Sequence, residues 1–457
     1  MLGFLTHLRL HFQLVLAPVF LLGYWASGAT PDGGFTLLFV LLHAGLYGGA
    51  TAYNSYYDRD HGPVGGLMHP PEVGRAELWG GLGLQLGAVF IMGLFLDLTI
   101  GLLGALMLVM GVVYSHPRLR WKGRALSGLA LVACGQGLLP FLMGVLAGGG
   151  WRADLSSPER ALLALICVSV ITAIYPLTQV YQQDEDRARG DITFAVRYGT
   201  AAVFRLAFAL SGCGMVALAS AIAAGWLQAG RGIGMLTFLA VFAALLSRWR
   251  LGFARRTIYE NGTWSFRLSA LMAAVFWLLI LAQYAGASPQ QPESVPAVKV
   301  TTEDGIVSVQ ASLWLHSPPA EVWALMTDYE SLSAYMPNVE SSVVVARSDS
   351  VARVRQGVNS RFVLPIRFAV TLEFLEQLPQ RLRFNMVEGA VDRFSGTWDF
   401  RSDRGGTRVE YEATIEPPAF VPSFVAAMVV RRQLRRMLPA IGLELDRRKA
   451  AKGVGWQ

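Results

Sequence analysis

The sequence is poor in charged residues, which make up 16% of its 457 residues. A typical soluble protein has about 25%, and here the apolar types AVILMFWYC reach 53% with a mean hydropathy of +0.41. This composition excludes a mostly disordered chain. The chain has only three cysteines, Cys134, Cys167 and Cys213, each within an apolar run. A disulfide or cysteine-ligated metal framework is therefore excluded as well.

Further absences narrow the class of protein. The chain has no Walker or dinucleotide-binding glycine pattern, so its 48 glycines indicate close helix packing and not a phosphate loop. Its net charge of +7 is not gathered in a basic stripe or tail, so we expect no nucleic-acid binding. The first apolar run is full length and has no small-residue cleavage site after it, which favours a membrane span over a signal peptide.

Long apolar runs are abundant in the first 290 residues. Runs of about 17 to 25 apolar residues are long enough to cross a bilayer as helices. The sequence predicts nine of them, at about 10–28, 35–56, 79–97, 99–115, 125–147, 160–182, 201–225, 232–249 and 266–286. We therefore expect residues 1–286 to form an all-α, multi-pass membrane bundle.

Basic residues are distributed unequally between these spans. Fifteen lie in the connections on one side of the predicted bundle, and three, Arg152, Arg160 and Arg231, lie on the other. By the positive-inside rule the richer side faces the cytoplasm, which indicates an integral protein of the cytoplasmic (inner) membrane. Nine spans would place the C-terminal domain on the opposite side, whereas eight or ten would place it beside the basic loops.

The composition changes after residue 286. Residues 287–297 are rich in Pro, Ser and Gln and are typical of a linker. Beyond them, period-2 alternation predicts strands, and Gly405-Gly406 between two such runs predicts a hairpin. Helices are expected at Pro319 to Asp328 and at about 421–449. The sequence thus predicts a soluble α+β domain over residues 298–457.

Two polar clusters follow membrane spans on the same predicted side. The run Asn54-Ser-Tyr-Tyr-Asp58-Arg59-Asp60-His61 ends the second span, and the run from Gln182 to Asp191 ends the sixth. Asn54 and Asp58 are four residues apart, as are Gln182 and Asp186, so each pair lies on one helix face. Such oxygen-rich helix ends can jointly hold Mg²⁺ and a diphosphate. The alternative is that they are solvated loop charges flanking membrane helices.

Three motifs in order resemble the cytoplasmic signatures of the UbiA-type membrane prenyltransferases. They are Asn54-xxx-Asp58, Tyr114-Ser-His-Pro-Arg118-x-Arg120-x-Lys122-Gly-Arg, and Asp186-Arg-x-x-Gly190-x-x-Thr193-x-x-Val196-Arg197-x-Gly199. The resemblance covers residues 1–286. It implies a Mg²⁺-dependent enzyme that transfers a polyprenyl group from a diphosphate donor to an aromatic, quinone-precursor-like or related lipophilic acceptor.

The resemblance also implies roles for individual residues. Asp58 and Asp186 would be catalytic. The Mg²⁺ ligands would be Asn54, Asp58, Gln182 and Asp186, with Asp60, Asp184 and Glu185 as neighbouring substitutes. The diphosphate would be bound by Asn54, Arg118, Lys122 and Arg197.

Three positions depart from the motifs of this family. Ser55, Gly62 and Gln182 stand where the motifs have aspartate. A neighbouring carboxylate replaces a lost one imperfectly, since one residue of slip rotates a side chain by about 100° on a helix. The departures leave an alternative open, in which the membrane domain binds a prenyl lipid or quinone without catalysing transfer.

The C-terminal domain resembles the START-like helix-grip fold, in its polyketide-cyclase and coenzyme-Q-binding form. The resemblance covers residues 298–449. It is carried by Pro318-Pro-Ala-Glu-Val-Trp323 through Asp328-Tyr329 and Tyr335-Met-Pro337, followed by strands and a long helix. It implies an apolar cavity under that helix, and hence a prenylated lipid or quinone as ligand.

Overall fold

The computed structural model describes the chain except for residues 1, 28, 30, 32, 149–156, 226–228, 287–295, 338, 362–364, 420 and 454–457. The chain divides into two compact units, Met1–Ala287 and Ser288–Gln457. The predicted linker 287–297 lies outside the described residues except for its last two positions, and Ala297 already begins a strand.

The first unit is built from helices. In chain order these are α1 (Leu2–His7), α2 (Leu10–Ala26), α3 (Gly33–Asp58), α4 (Arg75–Leu96), α5 (Leu98–Ser115), α6 (Ala125–Ala147), α7 (Pro158–Leu177), α8 (Gln183–Ala188), α9 (Phe194–Ala223), α10 (Ala229–Gly252) and α11 (Ile258–Gly286). Three of them contain π-helical stretches, at Leu41–Tyr47, Met92–Leu96 and Ala133–Leu138.

Eight helical segments of the described residues are long and apolar enough to cross a membrane. They are Gly3–Ala26, Gly33–Asp58, Arg75–Leu96, Leu98–Ser115, Ala125–Ala147, Pro158–Leu177, Phe194–Ala223 and Gly232–Arg255. They correspond to the first eight predicted spans. The ninth predicted span lies within α11, and the total of nine stays a prediction.

The outer surface of these helices is apolar. Phe90, Leu102, Leu126 and Val216 each expose more than half of their surface. Large exposed apolar side chains on helices of this length and hydropathy suit a hydrocarbon environment.

Helix α2 crosses α6 at close range. A Cβ on Gly23 would overlap the carbonyl oxygen of Phe141, and a Cβ on Gly144 would overlap that of Phe20. Small residues allow this approach, which is how membrane helices gain packing energy without a hydrophobic driving force.

The second unit is an antiparallel sheet with one long helix. Its strands are β1 (Ala297–Glu303), β2 (Ile306–Leu315), β3 (Val339–Arg347), β4 (Val351–Arg361), β5 (Pro365–Gln377), β6 (Arg381–Glu388), β7 (Arg393–Asp403) and β8 (Gly406–Glu416). They lie in the order β1-β2-β8-β7-β6-β5-β4-β3. The helices are α12 (Pro319–Met326), α13 (Leu332–Tyr335) and α14 (Ser423–Gly453).

Local sequence signals explain the turn and the helix of this unit. Arg404 and Gly405 both have positive φ, as a two-residue hairpin turn requires, and they join β7 to β8. The turn lies one residue before the predicted Gly405-Gly406, since Gly406 already begins β8. Helix α14 packs on β1 and β2. It does so through a buried stripe of Leu434, Leu438, Ile441 and Leu445, whose spacing places these side chains on one face.

The predicted fold class is confirmed. The chain is an all-α bundle of apolar helices followed by an α+β unit in which a long helix packs against an antiparallel sheet. The predicted helices near 319–328 and 421–449 are α12 and α14.

Helix α14 carries an ionic cluster around the buried Glu444 that gives a test of this fold. Arg447 donates two hydrogen bonds to Glu444, at 2.6 and 2.7 Å, and Arg448 donates one at 2.9 Å. Arg448 also donates to Asp328 at 2.9 Å, which ties α14 to the end of α12. These hydrogen bonds, that of Arg447 first, lower the pKa of Glu444 to about 2 against the opposing effect of burial.

We expect Glu444→Gln to destabilise the packing of α14 at pH 7 by about 1–3 kcal/mol, the range for charge-assisted hydrogen bonds. A lowered carboxyl pKa stabilises the fold above the ordinary pKa of Glu, and the contribution is lost as pH falls toward 2. The measurement is hydrogen exchange of α14 peptides in the wild-type chain and in Glu444→Gln at the same pH. The difference between the two chains should be larger at pH 7 than at pH 3. The exposed neighbour change Asp446→Asn is the control, and an equal difference at both pH values would contradict the assignment.

Candidate functional site

The predicted first cluster lies at the end of α3. Asn54 and Asp58 are one turn apart, and the Asn54 amide donates to the Asp58 carboxylate at 2.8 Å. The helix ends immediately afterwards because Arg59 adopts a left-handed conformation, with φ 50°. This break turns the following residues back toward the bundle, so that the Asp60 side chain is buried.

The basic loop between α5 and α6 contacts this cluster directly. The Lys122 ammonium donates to Asn54 Oδ1 at 2.8 Å and to the Asp58 carboxylate. Ser115, the last residue of α5, donates to the same Asn54 oxygen at 2.9 Å. The side chains of Lys122 and Asp58 each expose 8% of their surface, so the two charges neutralise each other in a buried setting.

The second cluster joins the first through a guanidinium. Arg189 follows α8 and donates to Asp60 at 2.6 Å and to Asp186 at 3.0 Å. Thr193, at the start of α9, donates to the other Asp186 oxygen at 3.0 Å. Two acidic clusters that are more than 100 residues apart in sequence are therefore in one ionic network. This agrees with the expectation that both lie on the same side of the bundle.

A further ion pair fixes the basic loop to the segment after α8. Arg120 donates two hydrogen bonds to Asp191, at 2.7 and 2.8 Å, and approaches Asp58 at 3.4 Å. The backbone supports the same contact, since the Ile192 amide donates to the Gly123 carbonyl at 2.8 Å. Such two-point arginine–carboxylate pairs are geometrically specific.

Arg9 is a further charged residue beside this network. In the sequence it served only as one of the basic residues that predict the orientation of the membrane spans. Its side chain is buried, and it donates to Ser55 at 2.8 Å. Ser55 occupies a position where the resemblance expects aspartate, so a neutral acceptor stands there and contacts Arg9, a buried cation of the cavity lining.

These charged residues line one end of a cavity of about 340 Å³, within the range of small-molecule sites. The charged lining comprises Arg9, Asp58, Asp60, Lys122, Asp186, Arg189 and Asp191. Most of the remaining lining is apolar, including Met107, Met110, Ile171, Leu218, Phe238 and Met272. Between the two parts, the hydroxyls of Tyr114 and Tyr175 are 3.0 Å apart.

The structure brings most of the predicted site residues to this cavity. Its lining includes Asn54, Asp58, Asp60, Lys122, Gln182 and Asp186. Gln182 donates to the Pro63 carbonyl at 2.8 Å. Its amide therefore helps to fix the loop after α3.

Other predicted residues lie elsewhere. The Asp184 side chain is fully exposed and pairs with Arg187 at 2.7 Å, because successive positions of α8 point in different directions. Glu185 accepts from the His61 amide at 3.2 Å at the edge of the network. Arg118 and Arg197 are exposed and are not part of the cavity lining.

Sequence reasoning missed Arg9, Arg120, Arg189 and Asp191 as site residues. Two signals were present: Arg120 lies within the basic motif two residues before Lys122, and Asp191 ends the second cluster. Which of several neighbouring charges point inward depends on the loop conformations, including the left-handed Arg120 itself, with φ 40°.

Burial shapes the electrostatics of the network. Burial raises the pKa of Asp186 above its ordinary value, although Arg189 and Thr193 oppose this effect. The pKa of Arg120 is raised, chiefly by its hydrogen bonds to Asp191. Burial lowers the pKa of Arg189, but its bonds to Asp60 and Asp186 outweigh this and raise it overall. Both guanidinium groups are therefore fully charged.

The comparisons with known proteins agree with this architecture. The family model described as the UbiA prenyltransferase family matches residues 15–272, and the model described as polyketide cyclase / dehydrase and lipid transport matches residues 315–441. No protein of curated function matches the chain.

Several solved structures are similar to one of the two units. A UbiA homologue from Archaeoglobus fulgidus bound to GPP and Mg²⁺ is 19% identical, covers 61% of this chain and 99% of its own, and has a TM-score of 0.47. The Zhui aromatase/cyclase from Streptomyces sp. R1128 is 19% identical, with coverages of 32% and 98% and a TM-score of 0.30. A STAR-related lipid transfer protein from Xanthomonas axonopodis is 17% identical, with coverages of 33% and 98% and a TM-score of 0.28.

The fold and the site thus define an integral membrane protein whose helical bundle encloses an apolar cavity with a charged end, followed by a helix-grip unit. The chain belongs to the UbiA prenyltransferase family.

The ion pair between Arg120 and Asp191 gives a test of the site architecture. We expect Arg120→Lys to increase hydrogen exchange in the loop of residues 116–124, because an ammonium keeps the charge but cannot make the two-point contact. The expected loss of local stability is about 1–2 kcal/mol. Arg118→Lys, an exposed change in the same loop, is the control. Equal exchange in the wild-type chain and Arg120→Lys would show that this pair does not fix the loop.

Proposed function

We propose that the membrane unit is a Mg²⁺-dependent prenyltransferase. It would transfer a polyprenyl group from a diphosphate donor to an aromatic, quinone-precursor-like or related lipophilic acceptor. The proposal depends on one observation: the same cavity has an ionic end and a mainly apolar body. A polyprenyl diphosphate has the same two parts, a highly charged head and an apolar chain.

The charged end suits the diphosphate. Lys122 and Arg189 line the cavity and, together with the adjacent Arg120, can donate to phosphate oxygens. The roles of Arg118 and Arg197 in binding diphosphate stay predictions, since both side chains lie outside the lining. The predicted role of Asn54 stays a prediction as well; its amide group contacts Lys122 and Asp58 at this end of the cavity.

The oxygen donors of this end are of the types that Mg²⁺ prefers. Within the described ranges, no group of three or more Asp, Glu, His or Cys side chains is arranged to hold a metal ion by itself, and the carboxylates contact basic side chains instead. A diphosphate would supply further oxygen ligands and attract those cations. We therefore propose that Asp58, Asp60 and Asp186, with the amides of Asn54 and Gln182, hold Mg²⁺ together with the diphosphate. When bound, the ion would neutralise charge on the leaving group.

The ionisation of the donor can be assigned to residues of the chain. The bond between the allylic carbon and the diphosphate oxygen breaks, and its electron pair leaves with the diphosphate, which Lys122 and Arg120 stabilise electrostatically. The prenyl chain lies along the apolar wall, which excludes water from the allylic cation. The Tyr114 ring lies below the charged end, with the Lys122 ammonium 5.7 Å from its centre, where an aromatic face can stabilise a carbocation.

For the C-terminal unit we propose binding of a prenylated lipid or quinone, so that residues 298–457 accept or present the product of residues 1–286. The match to a model described as polyketide cyclase / dehydrase and lipid transport supports this role. We also propose that the protein lies in the cytoplasmic membrane with its motif loops facing the cytoplasm, on the basis of its loop charges.

One observation favours a second function. Ser55, Gly62 and Gln182 are not aspartates, and the cavity carboxylates Asp58, Asp60, Asp186 and Asp191 all form ion pairs with basic side chains. A chain in which these pairs persist would bind a prenyl lipid or quinone without catalysing transfer.

Release of diphosphate distinguishes these functions. We expect the purified full chain in detergent with Mg²⁺ to release diphosphate from radiolabelled geranyl or longer polyprenyl diphosphates when aromatic acceptors are supplied. Asp58→Asn should lower the rate by about 100-fold or more, because a proposed carboxylate ligand of Mg²⁺ is lost. Asp184→Asn, an exposed change in the second cluster, is the control and should retain the wild-type rate.

The same assay can contradict the enzyme proposal. Release by the wild-type chain no faster than by a chain carrying both Asp58→Asn and Asp186→Asn would rule out transfer. Retained binding of the labelled donor in that case would support the binding function.

A further inference from the structure

Arg189 occupies an unusual position in the ionic network. Its guanidinium lies between two carboxylates from different parts of the chain, with Nη1 2.6 Å from Asp60 and Nη2 3.0 Å from Asp186. Nη1 is also 3.4 Å from the Asp58 carbonyl oxygen. The side chains of Asp60 and Asp186 expose 5% and 8% of their surface, so neither can rely on water to neutralise its charge.

Arg189 still has a free donor. Its Nε is buried and has no hydrogen-bond partner in the part of the chain that the structure describes; a carboxylate oxygen of Asp191 is 3.8 Å away. The Nε of Arg9, in the lining of the same cavity, is also buried and lacks a hydrogen-bond partner among the described residues. Buried donors without acceptors are costly, and two of them on cations of one cavity indicate an anionic ligand.

Arg189 and a divalent cation would compete for the same oxygens. An ion ligated by both Asp60 and Asp186 would have to lie where the guanidinium now lies, and two cations cannot share that space without strong repulsion. In the same way, Lys122 competes with a divalent cation for the oxygens of Asp58, and Arg120 competes for those of Asp191. The negative charges of these carboxylates are thus neutralised by basic side chains before any ligand binds.

We propose that Arg189 is a latch that makes binding of a divalent cation conditional on a diphosphate group. Without diphosphate, Arg189 bridges Asp60 and Asp186 and keeps the ion out. A diphosphate offers the guanidinium a stronger acceptor, to which it turns, and the released carboxylates then accept the ion. The proposal rests on the proposed function, since it assumes that the cavity binds a diphosphate and Mg²⁺.

The latch predicts a reciprocal coupling between the two ligands. If diphosphate raises the affinity for the ion, the ion must raise the affinity for diphosphate by the same factor. A fixed structural role of Arg189 would change the stability of the fold but would leave this factor unchanged. The coupling is therefore the quantity to measure.

The experiment measures Mn²⁺ binding to the full chain in detergent by equilibrium dialysis, with and without a non-hydrolysable geranyl thiolodiphosphate. A protein-free chamber at the same analogue concentration corrects for Mn²⁺ bound in solution. The variants are Arg189→Gln and, as a matched control, Arg187→Gln, whose side chain is two residues away and pairs with the exposed Asp184. No catalytic turnover is involved in the readout.

We expect the wild-type chain to bind Mn²⁺ at least about tenfold more tightly with the analogue than without it. Arg189→Gln should bind Mn²⁺ about tenfold more tightly than the wild type when the analogue is absent, and should lose most of the coupling. Arg187→Gln should match the wild type in both conditions.

A second variant keeps the test valid if Arg189→Gln does not fold. Arg189→Lys keeps a positive charge, but its single ammonium cannot bridge both carboxylates in the same way, so it should change Mn²⁺ binding in the same direction by a smaller factor. Unchanged or weaker Mn²⁺ binding in both Arg189 variants without the analogue would overturn the latch.

The outcomes also separate the latch from the proposed function. Equal Mn²⁺ affinity of the wild-type chain with and without the analogue would contradict the latch alone. Failure of the wild type and every variant to bind Mn²⁺ in either condition would contradict the proposed Mg²⁺ dependence, and the latch with it.

Discussion

The need to neutralise charge buried at one end of a membrane bundle governs the structure around the cavity. Ionisable groups at such positions are costly unless they are paired. Here Lys122 pairs with Asp58, Arg120 with Asp191, and Arg189 with both Asp60 and Asp186. These pairs join the end of α3, the loop before α6 and the segment around α8. Loops that share no secondary structure are thereby connected into one wall of the cavity.

The contrast between this wall and the rest of the cavity suits a molecule with a charged head and an apolar chain. The apolar lining is supplied by helices whose other faces are exposed for contact with lipid. The same helices therefore provide both the membrane anchor and the binding site for an apolar chain. The π-helical stretches support this arrangement, since Tyr47 in α3 donates to the Gly135 carbonyl in α6 at 3.0 Å, and both residues line the cavity.

Each of the three residues that depart from the family motifs has a specific neighbour in the structure. Ser55 accepts a hydrogen bond from the buried Arg9, and Gln182 donates to the Pro63 carbonyl. Gly62 lies next to Glu185, whose carboxylate would be 3.4 Å from a Cβ at that position. Ser55 and Gln182 thus make cationic and neutral contacts with the chain itself, and Gly62 stands beside a carboxylate supplied by another residue. The consequence is a site whose charges are balanced internally.

The sequence by itself determined the apolar spans, the two polar clusters after the second and sixth spans, and the strand pattern of the second unit. These follow from local rules, since span length, helical spacing and period-2 alternation do not depend on distant residues. Only the tertiary structure decided which charges meet. Asp184 and Asp186 are two residues apart on α8, yet one is exposed and the other buried. Arg9 reaches Ser55 across 46 residues, because helix packing, which no local pattern encodes, sets those distances.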